Sequence, residues 1–79
     1  MPIETEAKII ALVQDMKNTQ DVTAETALID SGLLDSFDVI TLMIQLEEAF
    51  GILIPGDQII PENLGNVQDI ARLVESQKS

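Results

Sequence analysis

Apolar residues along the chain fall into three runs with a helical repeat, separated by two stretches that lack one. In "IETEAKIIALVQDMK", Ile3 to Lys17, the residues Ile9, Val13 and Met16 form a stripe together with Ile10, and no Gly or Pro follows Pro2. A first helix is predicted there. Residues Asn18 to Leu34 show no such repeat and are rich in Thr, Asp, Ala and Ser. Val22, Leu28, Ile29, Leu33 and Leu34 are spaced as anchors for a long loop laid over the core, a feature that is uncommon in compact domains and often functional.

The second helix starts at Asp35 or Ser36 and runs to Phe50, where Gly51 suits the left-handed position that closes a helix. At about 100° per residue, Val39, Leu42, Met43, Leu46 and Phe50 gather on one side, enough to fill a small core. Phe37, Ile40 and Ile44 fall on the opposite side with Thr41 and Glu48. A helix apolar on two sides is either buried throughout or presents a docking surface. So short a chain can hardly surround its second helix, which favours docking.

The following "ILIP" alternates too briefly for a sheet and has no partner strand, so Ile52 and Ile54 are expected as core anchors in an extended link. Pro55 to Asn66 holds at most one short helical turn. Asn66 is an N-cap candidate with Asp69 three residues on, and Val67, Ile70, Ala71 and Val74 form the stripe of the last helix. The expected fold is all-α: a small four-helix bundle of three main helices plus one short helix, with a long loop between the first and second helices.

Length and composition narrow what this bundle can do. The 79 residues make a single domain, 1–79. A domain of that size buries only about 60% of its unfolded surface, which leaves little room for a deep catalytic cleft. Hydrophobic residues are 46% of the chain and cysteine is absent, so an apolar core rather than crosslinks must stabilise it, as suits a reducing compartment. No apolar run approaches the roughly 20 residues of a membrane span, and "MPIETEAKII" has acids where a signal peptide carries bases. A cytoplasmic location is expected.

Fourteen acids against four bases give a net charge of −10. Such a field repels nucleic acid and anionic lipid and favours basic protein surfaces, so neither a nucleic-acid partner nor stable membrane insertion is expected. The same acids also keep an apolar small protein soluble.

The stretch "SGLLDSFDVI", Ser31 to Ile40, sets an Asp-Ser pair between a glycine turn and an apolar run. Nucleophilic serine catalysis needs a base, usually histidine, and an oxyanion hole. There is no histidine, and Lys8 and Lys17 belong to the first helix with no motif linking them to Ser36. Gly32, Gly51, Gly56 and Gly65 are isolated and form no phosphate cradle. Asp30, Asp35 and Asp38 do not make a calcium loop, because Gly32 and Leu34 fall where ligands belong. An enzyme is not expected, and no catalytic residue or metal site is assigned.

Position offers Ser36 something else. With Asp35 as N-cap, Ser36 is the first helical residue and Asp38 the third, placing the hydroxyl beside unpaired N–H groups and the positive end of the helix dipole, where a phosphate is well placed. Ser36 as the cap itself is the alternative, and Asp-Ser before an apolar run is also ordinary helix-start chemistry.

The run "LIDSGLLDSFDVITLMIQLEEAFGILIP", Leu28 to Pro55, resembles the acyl and peptidyl carrier proteins: a leucine-anchored loop, Gly32, Asp35-Ser36 before a large apolar residue, Leu46-Glu47-Glu48, Phe50, and Ile54-Pro55. Length, acidity and helix order match as well. The resemblance implies that a phosphopantetheinyl transferase joins 4′-phosphopantetheine, drawn from coenzyme A, to Ser36 behind its cap Asp35. The arm's thiol then carries acyl or aminoacyl groups as thioesters. It further implies loading enzymes, acyltransferases and synthases with basic docking patches as partners, met through Phe37, Ile40, Thr41, Ile44 and Glu48, and a monomeric carrier. The implied pathways are fatty acid, polyketide, nonribosomal peptide or D-alanyl transfer. Fatty acid carriers commonly have Leu after the serine and an acid at the position of Thr41; Phe37 is similar to D-alanyl carriers and to stand-alone carriers of amino acid or polyketide pathways. The alternative is an unmodified, carrier-like adaptor that binds a partner through its second helix.

Overall fold

The computed structural model describes residues 3–78, within the single domain expected over the whole chain. Three helices carry the fold: α1 over Ile3–Lys17, α2 over Ser36–Phe50 and α3 over Val67–Lys78. Among the described residues there is no strand. The link between α2 and α3 holds two 3-10 turns, Gly56–Gln58 and Pro61–Asn63, where the sequence suggested one short turn at most. Proline explains the pair: Pro55 immediately precedes the first turn and Pro61 opens the second, each with its φ already fixed for a helical start.

Local chemistry sets the helix ends. Asp35 is the N-cap of α2, and its Oδ1 accepts the Asp38 N–H at 2.8 Å while Asp38 Oδ2 accepts the Asp35 N–H at 3.3 Å, a reciprocal capping box. Gly51 closes α2 at φ 64°, ψ 41°, a conformation that costs a residue with a Cβ roughly 1–2 kcal/mol. At α3, Asn66 Oδ1 accepts the Asp69 N–H at 2.9 Å, so the expected cap is in place.

The core is one apolar cluster. Ile9 and Val13 of α1, Leu42, Met43 and Leu46 of α2, and Val67, Ile70, Ala71 and Val74 of α3 are buried in it, as their spacing requires. Val22, Leu28 and Leu34 anchor the long loop, and Ile52 and Ile54 anchor the extended link. The loop is also tied by backbone bonds to the start of α3: the Leu28 N–H donates to the Gly65 carbonyl at 2.9 Å and the Gln68 N–H to the Ala24 carbonyl at 3.2 Å. The second of these satisfies one of the helix's first N–H groups, which have no partner within the helix.

Two expected anchors behave differently. Ile29 is exposed rather than packed, because its neighbour Leu28 takes the inward position. Phe50 is only half-buried: as the last residue of α2 it lies at the core's edge, where the Lys8 and Lys78 ammonium groups stand 5.3 and 5.8 Å from its ring centre. One buried polar residue was not anticipated. Thr5 sits one turn before Ile9 on the inner face of α1, and its hydroxyl donates to the Glu75 carboxylate of α3.

Candidate functional site

The capping box leaves Ser36 at the first helical position, exposed, with Asp35 as the cap. Among the described residues nothing accepts or donates a hydrogen bond at its hydroxyl. The other described serines are engaged: Ser31 donates to the Ala27 carbonyl, and Ser76 Oγ donates to the Leu73 carbonyl at 2.7 Å. The first N–H groups of α2 and the positive end of its dipole lie beside the Ser36 side chain.

Of the two acids of the capping box, Asp38 is paired with a base. Asp38 Oδ2 also accepts from Lys17 Nζ at 2.7 Å, joining the last residue of α1 to the first turn of α2. The Lys17 hydrogen bond, followed by that of the Asp35 N–H, holds the Asp38 carboxyl below the usual carboxylate range. Reciprocally, the bond to Asp38 raises Lys17 above the usual lysine value.

Next to Ser36 is an apolar cavity of about 350 Å³. Ile29 and Leu34 of the loop, Val39 and Ile40 of α2, and Ile59 and Leu64 of the following link form most of its wall, and Asp35 and Ser36 are its polar members. The link's contribution was not foreseen, since "GDQIIPENLG" has no repeat to show which of its apolar residues turn inward. Exposed Ile29 gains a reason for its position here.

The outer side of α2 is open to solvent. Phe37 is 77% exposed, Ile40 60% and Ile44 52%, and Glu48 is exposed with them. Thr41 is half-buried, with its hydroxyl turned back to the Phe37 carbonyl at 3.2 Å. Leu53, just beyond the end of α2, is 80% exposed between buried Ile52 and Ile54. Singly exposed apolar residues are ordinary, whereas Phe37, Ile40 and Ile44 are neighbours at helical spacing on one exposed side of α2.

The site is thus a capped helix start that presents an exposed, unengaged serine beside an apolar cavity. Comparison with known proteins gives the chain its family. Residues 7–74 match the family model described as the phosphopantetheine attachment site. The chain is 32% identical to the acyl carrier protein of Wolinella succinogenes over 78 residues, 99% of this chain and 100% of that one. It is 36% identical to the acyl carrier protein of Helicobacter acinonychis over 89% of this chain and 90% of that one. It is also 40% identical to aminoacyl carrier protein 1 of Bradyrhizobium diazoefficiens over 72% of this chain, a match that spans 62% of that relative's length. The chain belongs to the carrier-protein family that bears covalently attached 4′-phosphopantetheine. Among the described residues no helix is long and apolar enough to cross a membrane.

Proposed function

We propose that Ser36 is the sole attachment point of the arm, and that the protein is a stand-alone, cytoplasmic carrier of acyl or aminoacyl groups for fatty acid, polyketide, nonribosomal peptide or D-alanyl transfer enzymes. The supporting observation is the state of the Ser36 hydroxyl: exposed and unbonded at a capped helix start, where Ser31 and Ser76 are held by backbone carbonyls.

The chain itself binds and presents rather than catalyses; with no histidine and no cysteine it has no group suited to activating its own serine. A separate transferase supplies the base. The Ser36 oxygen displaces 3′,5′-ADP from coenzyme A and forms a phosphodiester, and the hydroxyl proton passes to that base. Asp35 and Asp38 keep the serine on a fixed helical turn during this step. The attached arm supplies a thiol that holds cargo as a thioester at high effective concentration near each docked enzyme. Phe37, Ile40, Thr41, Ile44 and Glu48 form the docking side, and the net charge of −10 draws basic partner surfaces toward it. The cavity beside Ser36 offers an apolar part of the cargo a place out of water.

Incubation with coenzyme A and a promiscuous phosphopantetheinyl transferase, followed by intact-mass measurement, tests the reading. The wild type should gain one arm, and Ser36→Ala should gain none while melting normally. An arm on the Ala variant would overturn the assignment to Ser36. A wild type that gains nothing yet still binds a partner through α2 would make the protein an unmodified adaptor.

A further inference from the structure

We propose that Lys17 is a positioning residue for arm attachment: through Asp38 it holds the first turn of α2, and Ser36 with it, against the end of α1. This rests on the assignment of Ser36 above. The covalent chain does not fix that relation, because Lys17 is the last residue of α1, Asn18 turns away in a left-handed conformation at φ 53°, and a long loop intervenes before Asp35. Nor do the loop's backbone ties, since Leu28 and Ala24 are bonded to the start of α3. The 2.7 Å bond from Lys17 Nζ to Asp38 Oδ2 is the polar link that spans the gap.

Its placement makes it more than a surface pair. The Lys17 and Asp38 side chains are 30% and 19% exposed, so both are largely withdrawn from water. The oxygen that receives Lys17 is the same one that accepts the Asp35 N–H in the capping box. One carboxylate therefore closes the helix start and fastens it to the neighbouring helix. Ser36 lies between the two capping acids, and its Cα–Cβ direction follows that turn. The remaining bases are committed elsewhere: Lys8 and Lys78 lie against Phe50, and Arg72 pairs with Asp69. A transferase must bring the Ser36 oxygen into line with its phosphoryl donor, and a misplacement of about 1 Å is costly to such a step.

The effect can be separated from general electrostatics by sign. Lys17→Met makes the chain more negative and so, by long-range attraction alone, better for a basic transferase; Asp38→Asn makes it less negative and worse. Positioning predicts that both lower kcat. The experiment takes the unmodified full chain as wild type, Lys17→Met, Lys17→Arg, Asp38→Asn and the Met/Asn double variant, at a temperature where melts show all of them folded. It measures steady-state arm attachment with coenzyme A and a transferase, and amide hydrogen exchange at residues 36–38.

Lys17→Met should reduce kcat by about two- to fivefold without raising KM, and should speed exchange at those amides. Lys17→Arg should restore both, and Lys17→Met should add nothing once Asp38 is Asn. Unchanged kcat or exchange in Lys17→Met, an effect confined to KM, or a full Lys17 effect in the Asn background would overturn the positioning role. An arm found on Ser36→Ala, or none on the wild type, would instead overturn the assignment of Ser36, while the exchange data would still report whether Lys17 orders the turn.

Discussion

The two sides of α2 should respond to truncation in opposite ways. Leu46 is 0% exposed and packed in the central cluster, so Leu46→Ala removes its contacts and leaves a cavity, at roughly 2 to 5 kcal/mol. For a chain of 79 residues the whole folding free energy is roughly 4 to 12 kcal/mol, so a loss near 3 is a large share of it. At about 4–8 °C per kcal/mol for a domain of this size, Leu46→Ala should melt about 12–24 °C lower. Phe37 is on the solvent side, where truncation usually changes stability by no more than about 0.5 kcal/mol, a shift of less than about 4 °C. Its cost should appear in docking, where loss of an apolar anchor commonly exceeds about 1 kcal/mol, or about fivefold in affinity. Ile44→Ala should follow Phe37→Ala. The assay is a thermal melt beside a titration with the phosphopantetheinyl transferase for each variant. If Phe37→Ala and Ile44→Ala melt as low as Leu46→Ala, or bind the transferase like the wild type, the outer side of α2 is not a docking surface.

Salt should act on fold and association with opposite signs: raising it from low to moderate levels should increase Tm, by screening the repulsion among fourteen acids, while weakening transferase binding. Calorimetry and binding measured across one salt series check this, and a lowered Tm or salt-insensitive binding would contradict it. Asp38 makes a pH-dependent contribution: its carboxyl is held below the usual range by Lys17, so its stabilisation is full above about pH 4 and disappears as pH falls through the depressed value. The Tm gap between wild type and Asp38→Asn should therefore be constant near neutrality and close in acid; a gap that persists at the lowest pH would rule out the ion pair as its source.

What the sequence revealed depended on whether the responsible interaction was local. The start of α2 was legible because a capping box needs only Asp35 and Asp38, three residues apart, and its end because Gly51 alone suffices for the left-handed turn. The buried and exposed sides of α2 followed from helical angle, since a helix imposes one geometry on every residue in it. The loop and the link impose none. Ile29 and Leu28 are equally apolar neighbours, and only packing decides that Leu28 is buried while Ile29 lines a cavity. Phe50 kept its place on the stripe, yet as the final residue of α2 it had no further turn to cover it. Least legible were the bonds between distant residues. Lys17 and Asp38 are 21 residues apart and Thr5 and Glu75 are 70 apart, and no spacing rule connects either pair.

The few bases show how a chain this acidic reconciles folding with recruitment. All four are engaged with acids or the Phe50 ring: Lys17 links α1 to α2, Lys8 and Lys78 bring α1 and α3 to the end of α2, and Arg72 lies over Asp69 in the first turn of α3. Lys78 also pairs with Glu75 at 3.4 Å, the carboxylate that receives the Thr5 hydroxyl. Positive charge is thus used mainly where helices meet, and most of the acids that lack a base are exposed to solvent, half-buried Glu6 and Glu47 being exceptions. Their field reaches only about 10 Å at 0.1 M salt, far enough to orient a basic partner but too diffuse to fix its register. Register needs short-range contacts of defined shape, and on the proposed docking side Phe37, Ile40 and Ile44 offer these within about two helical turns of Ser36. On this reading a charge change remote from α2 should alter how fast partners arrive, whereas a change at Phe37 or Ile44 should alter how long they stay.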